Sequence, residues 1–267
     1  MKMLKKAFVI LVYIFACIGF MLVAGYFAVK FGFTNSPGNI DDRYLKSGIE
    51  TKNEPVWAED EEWRILKDAI IKDKEVILKA SRDSGVNPRL IVAQLTVEQL
   101  RLYYTNREIF KQVFAPLKIL GNQSQFSWGI MGLKQETAIQ IENNLKDTSS
   151  PFYLGKNYEN LLDFKTNDHN SERFDRIINE NNHYYSYLYT GLYLAQIKKQ
   201  WKDRGYDISN RPEILSTLYN IGFEHSEPKS DPQVGGASIE IHEETYSFGG
   251  LAAEFYYSNE LLDLFPQ

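Results

Sequence analysis

The 267-residue chain carries 30 Lys and Arg against 35 Asp and Glu, a net charge of −5, with 43% hydrophobic residues and one cysteine. Four lysines and no acids lie in the first 32 residues; beyond them 26 basic residues face 35 acidic ones, a net charge of −9. An acidic domain of that balance lacks the basic footprint of a nucleic-acid binder. The single cysteine allows no disulfide framework.

From Ala7 to Val29 there are 23 uncharged residues, and at about 1.5 Å rise each they are long enough to cross a ~30 Å hydrocarbon layer. Lys2, Lys5 and Lys6 precede this run, whereas Asp41 and Asp42 follow Lys30. The positive-inside rule then leaves the N-terminus in the cytoplasm and the rest of the chain outside. Residues 1–32 are read as a single-pass transmembrane anchor in the cell membrane, with Cys17 inside it. A cleaved signal peptide is the alternative, although its apolar core is usually shorter. Ile14-Phe15-Ala16-Cys17 faintly resembles a lipoprotein cleavage box, yet the apolar run continues past the cysteine. Residues 33–57, with Asn35, Ser36, Pro37, Gly38 and Asn39 and no apolar period, read as an extracytoplasmic stalk.

Residues 58–267 then form one mainly α domain, a size at which one core suffices. A first helix is predicted from Glu59 to Ser84, with acids at 59–62 in its first turn, Gly85 as its stop, and a stripe of Trp63, Leu66, Ile70, Ile77 and Leu78. Asn87-Pro88 is a start signal for a second, from Pro88 to about Tyr104. Lys134 to Leu145, Tyr184 to Trp201 and Pro212 to Ile221 also read as helical. A short hairpin is expected around Ala237 to Phe248, and the Val234 to Gly250 segment is otherwise unassigned.

The chemistry centres on the second helix. Ile91, Leu95, Glu98 and Leu102 fall at i, i+4, i+7 and i+11, so a carboxylate stands within the apolar stripe. Burial favours a neutral acid, the form in which a carboxyl can protonate a glycosidic oxygen. The plainer alternative is a glutamate at the stripe's edge, in solvent or paired with Arg101 or Arg89. Some thirty residues on comes Ser127-Trp128-Gly129-Ile130-Met131-Gly132, leading to Thr137 and Ala138. Its glycines permit close backbone approach, and Met131 with Trp128 could line a sugar-binding wall; taken alone, such a segment is more often an ordinary turn packed by apolar residues. Leu218-Tyr219-Asn220-Ile221-Gly222 is a third piece, readable by itself as a helix C-terminus.

Taken in this order, the three pieces resemble the lysozyme-like superfamily, in its lytic transglycosylase and goose-type lysozyme branch. There a catalytic Glu on a helix opening Pro-Leu-Ile-Ala is followed by Gly-hydrophobic-Met-Gln with Thr-Ala after it, then by a helix with Gly and Leu, then by Ala-Tyr-Asn-x-Gly. The matches here are Asn87 to Glu98, Gly129 to Met131 with Thr137 and Ala138, Gly191 to Leu194, and Leu218 to Gly222, spanning roughly residues 70–223. The resemblance implies that Glu98 is the acid/base, that Tyr219 places its hydroxyl near it, that Asn220 supports the same loop, and that Met131 is the sugar-site methionine. Ser127 and Gly129 join these as the implied substrate-binding set. Gln99 stands where the family has Ser, and Gly132 where it has Gln. The interval from Glu98 to Gly129 is also longer than the family's, with Tyr103, Tyr104, Phe110, Phe114 and Leu117 suggesting a lid or subsite wall.

The activity so implied is cleavage of peptidoglycan between MurNAc and GlcNAc by one glutamate, since Glu108 is the sole other acid between Glu98 and Gly132 and ordinary glycosidases need two. A lytic transglycosylase forming 1,6-anhydro ends fits; a hydrolytic muramidase using a more distant acid is the runner-up. A third reading is a glycan-binding scaffold of an envelope-spanning complex. No cofactor motif is present. His169, His183, His225 and His242 are scattered, and His242-Glu243-Glu244 lacks the second histidine of a helical zinc site. The aromatic run of Tyr184, Tyr185, Tyr187, Tyr189, Tyr193 and Trp201 reads mainly as core, with one or two rings free to stack on sugars.

Overall fold

A computed structural model describes residues 55–104 and 127–267, together with positions 6, 9, 11–13, 15–21 and 23–24 near the N-terminus. Those N-terminal positions are helical, and Val9, Leu11, Tyr13, Phe15, Phe20 and Met21 are exposed. Among the described residues no helix is long and apolar enough to cross a membrane. Nearly all of the expected stalk, and Phe110, Phe114 and Leu117 of the expected lid, lie outside the described residues.

The domain is mainly α. In chain order it contains α1 (Glu61–Lys72), α2 (Lys74–Ser84), α3 (Pro88–Tyr104), β1 (Ser127–Trp128), β2 (Leu133–Lys134), α4 (Gln135–Lys146), α5 (His169–Ile177), α6 (Tyr184–Asp203), α7 (Pro212–Ile221), β3 (Ser238–Ile241), β4 (Glu244–Ser247) and α8 (Phe248–Tyr257). The strands make two separate antiparallel hairpins, β1 with β2 and β3 with β4. The second is the hairpin expected around Ala237 to Phe248.

The helix expected over 59–84 is two helices. Asp73 has φ −88° and ψ 4° at the junction, and α1 ends there. Its carboxylate accepts a hydrogen bond from the Tyr187 hydroxyl at 2.7 Å and contacts His183 Nδ1 at 2.5 Å, both from the start of α6. Tertiary partners thus interrupt a run whose local pattern is continuous. Gly85 at φ 71° closes α2, donating its N–H to the Ser81 carbonyl at 2.9 Å. Asn87 then caps α3, its Oδ1 accepting the Arg89 N–H at 2.7 Å.

α3 also departs from its expected amphipathic form. Thirteen of its 17 residues are buried, from Arg89 to Leu102 with only Gln99 less so, because α1, α2, α6, α7, α8 and β3 surround it. A helix enclosed on all sides is apolar around most of its circumference rather than along one stripe. Glu98 is therefore inside whichever way its face is drawn.

The aromatic helix α6 is core for most of its length: Tyr187, Tyr189, Tyr193 and Trp201 are buried, while Tyr184 and Tyr185 are half-buried. It packs closely on α2 at Gly191, where an added β-carbon would stand 2.7 Å from Ser84 Cβ. Gly191→Ala gains some helix propensity but forces two helices apart, and overpacking of this kind costs about 1–3 kcal/mol. A Tm roughly 5 °C below wild type in thermal circular dichroism is expected; an unchanged Tm would show that the two helices yield without cost.

Trp57, placed in the stalk by sequence, is fully buried and donates its indole N–H to Glu254 at 2.9 Å. Trp63 and Lys67 bind Glu260 at 3.0 and 2.8 Å. The entry of the domain is thus fastened to its last two dozen residues, and the packed region begins before residue 58.

Candidate active site

The β1–β2 hairpin turns through Gly129, Ile130, Met131 and Gly132, with Ser127 paired to Lys134 and Trp128 to Leu133. Both glycines are left-handed, φ 62° and 60°, a conformation costly for any residue with a β-carbon. A β-carbon on Gly129 would collide with the carbonyl of Ile177 at the end of α5. One on Gly132 would lie 2.6 Å from Glu98 Oε2, 2.7 Å from its Cδ and 3.0 Å from its Oε1. The turn therefore rests directly on the Glu98 carboxylate, which is 3% exposed.

Two side chains fix the turn from the helices. Gln99 donates Nε2 to the Ile130 carbonyl. The Tyr219 hydroxyl donates to the Met131 carbonyl at 2.7 Å. Since a phenol has one proton to give, the Thr190 hydroxyl, 3.4 Å away, is the donor to Tyr219. Burial pushes the Tyr219 hydroxyl far above its ordinary value, and the nearby negative charge of Glu98 pushes it further. Tyr219 is accordingly a permanent donor. Its ring lies against Tyr193 at 5.2 Å and Phe248 at 6.2 Å.

Glu98, Met131 and Tyr219, separated by 33 and then 88 residues, thus meet around one carboxylate. Met131 itself is fully buried, so its carbonyl and not an exposed thioether is what it brings to the arrangement. Of the alternatives weighed for Glu98, the pairing with Arg101 is the one found. Arg101, one turn along α3, donates Nη2 to Glu98 Oε2, and both side chains are buried. Arg89, the other partner considered, turns away to the C-terminal carbonyls.

Asn220 does not support the Glu98 turn. Its Oδ1 accepts the Ala237 N–H at 2.8 Å, and a β-carbon on Gly236 would stand 2.9 Å from the same oxygen, so it organises the approach to β3. Ser127 enters through its backbone register in β1, and Gly129 through its fit against α5. Residues that the sequence did not single out as ligands of the turn are Gln99 and Thr190. For Gln99 the signal was its position beside Glu98; for Thr190 nothing local distinguished it from other core threonines.

Of the histidines, His183 contacts Asp73, His242 contacts Asp60, and His169 stacks on Phe164 at 4.4 Å. A separate cavity of about 230 Å³ lies between α7 and residues 225–236, floored by Trp201, Ile214, Leu218 and Val234. It contains none of the residues around Glu98. Comparison of the chain with protein-family models, with curated proteins and with solved structures returned no match.

Proposed function

We propose that this protein is a membrane-anchored peptidoglycan lytic transglycosylase of lysozyme-like fold, with Glu98 as its single acid/base. The observation that carries the proposal is the convergence of α3, the glycine turn and α7 on one buried carboxylate. In the proposed reaction Glu98, protonated and released from its ion pair with Arg101, gives a proton to the oxygen joining MurNAc C1 to GlcNAc C4, and that C–O bond breaks. The muramoyl C6 hydroxyl then bonds to C1, and its proton returns to Glu98. Product leaves as a 1,6-anhydro end, and no water, cofactor or second carboxylate enters. The N-terminal apolar run would hold the domain on the outer face of the cell membrane, within reach of the glycan strands.

A second reading, a glycan-binding scaffold of an envelope-spanning complex, is favoured by one specific observation: Glu98 already has a buried partner in Arg101. A hydrolytic muramidase is distinguished by its product. Full-length protein in detergent, incubated with purified peptidoglycan, is expected to release fragments bearing anhydro ends by mass spectrometry. Glu98→Gln is expected to reduce release by about 10²–10⁴-fold, the contribution of a positioned general acid. Reducing ends would establish hydrolysis. Binding without release, unaltered by Glu98→Gln, would establish the scaffold.

A further inference from the structure

We infer that Gln99 and Gly132 are positioning residues for the Glu98 carboxylate, acting together through the β1–β2 turn; the inference rests on the reading of Glu98 as the acid/base. A hydrogen at Gly132 leaves a notch into which both oxygens and Cδ of Glu98 fit, at 2.6 to 3.0 Å from where a β-carbon would be. Ordinary van der Waals contact needs 3.4 Å or more, so any side chain there displaces the carboxylate or the turn.

Helix and turn are also tied by the residue next to the acid. Gln99 reaches from α3 to the Ile130 carbonyl, two residues before the notch, while Tyr219 holds the intervening Met131 carbonyl from α7. Arg101 also holds the carboxylate through an ion pair. The acid therefore cannot shift on the helix without the turn following it. Such a constraint is what orientation-dependent catalysis requires, where a displacement of about 1 Å can cost 10²-fold in rate.

The test compares two glycine substitutions in the full-length protein. Gly132→Ala and Gly205→Ala both put alanine in a left-handed position, but at Gly205, φ 86°, a β-carbon meets nothing within 4 Å. Backbone strain is shared, and contact with Glu98 belongs to position 132 alone. Gly132→Ala is expected to lower kcat for fragment release about 100-fold with KM little changed, and to melt several degrees below Gly205→Ala. That excess Tm loss should vanish in a background carrying Glu98→Ala and Arg101→Met, where the carboxylate and its ion-pair partner are both gone. Gln99→Met, equal in length but without a donor, should lower kcat with KM retained, and Gly205→Ala should leave both unchanged.

An excess Tm loss that persists without Glu98, or equal losses at positions 132 and 205, overturns the inference. A wild-type protein that releases no fragments, while the excess loss still vanishes with Glu98, defeats the cleavage proposal and leaves the positioning of the carboxylate standing.

Discussion

Arg89→Met is expected to lower Tm by more than 10 °C and to release the last twenty residues to proteolysis. Arg89 is fully buried at the start of α3, and each of its five guanidinium protons has a backbone acceptor. Nε donates to the Tyr256 carbonyl at 2.7 Å, Nη1 to those of Glu260 and Phe265 at 2.9 and 3.1 Å, and Nη2 to those of Phe255 and Ser258 at 2.9 and 2.8 Å. Three of these carbonyls lie at the end of α8, where a helix leaves acceptors unsatisfied and where a cation is favoured.

Burial pushes the guanidinium down to about 10, which still leaves it charged through the neutral range. Methionine retains much of the volume but abandons five acceptors at once. Hydrogen bonds to charged groups contribute about 1.5–3 kcal/mol each, and even with strong non-additivity the total loss should exceed ~5 kcal/mol. For a domain of this size 1 kcal/mol corresponds to about 2–4 °C, so a fall of more than 10 °C follows. Limited proteolysis should then cut within residues 248–267 before anywhere else. A variant that melts within 3 °C of wild type would mean the C-terminal segment is held chiefly by its apolar contacts and by Trp57 and Trp63.

The second large effect is alkaline. Tyr187, Tyr189, Tyr193 and Tyr219 are all buried, and for each burial pushes the phenol well above its ordinary value. Nearby carboxylates add to this at three of them: Asp73 at Tyr187, Glu142 at Tyr189 and Glu98 at Tyr219. In the unfolded chain these tyrosines lose their protons near pH 10, whereas in the folded protein they keep them. Above pH 10 the folded state binds more protons, so stability falls as pH rises. Each tyrosine contributes about 1.4 kcal/mol per pH unit, and four together about 5 kcal/mol per unit.

Marginal stability of ~5–15 kcal/mol is then exhausted one to three units above pH 10. Exposed tyrosines such as Tyr103 and Tyr206 titrate first, and the absorbance of the buried rings should then change together with helical circular dichroism in one transition between about pH 11 and 13. Gradual titration of all the tyrosines from pH 10, with helicity intact, would show that these rings reach solvent.

Much of the helical layout was legible because it rests on local chemistry. Asn87-Pro88 marked the start of α3 and Pro212 that of α7, since capping and a preset φ act within one turn of chain. Two helices escaped. α8 carries Gly249 and Gly250 in its first turn, in a segment left unassigned, and glycine lowers helix propensity; yet Gly249 is where α8 approaches the Thr217 hydroxyl and the Glu213 carbonyl too closely for a side chain. α5 is largely polar, and its place is set by Arg173, which binds both carboxylate oxygens of Glu142 at 2.7 and 2.6 Å, while Tyr189 donates to the same carboxylate at 2.5 Å. Partners thirty or more residues away leave no periodic signal. The division of the first helix at Asp73 has the same origin.

At the candidate site, the sequence alone determined that a glutamate falls in step with the apolar stripe of its helix and that two glycines flank Ile130 and Met131, because side-chain period and glycine placement are written residue by residue. Only the tertiary structure decided that Glu98 faces Arg101, that Gly132 is vacant for its carboxylate, that Tyr219 serves the Met131 carbonyl, and that Asn220 serves a different loop. Those pairings depend on which surfaces meet when helices pack, and a contact between residues 98 and 132 is a property of the packed chain rather than of either segment.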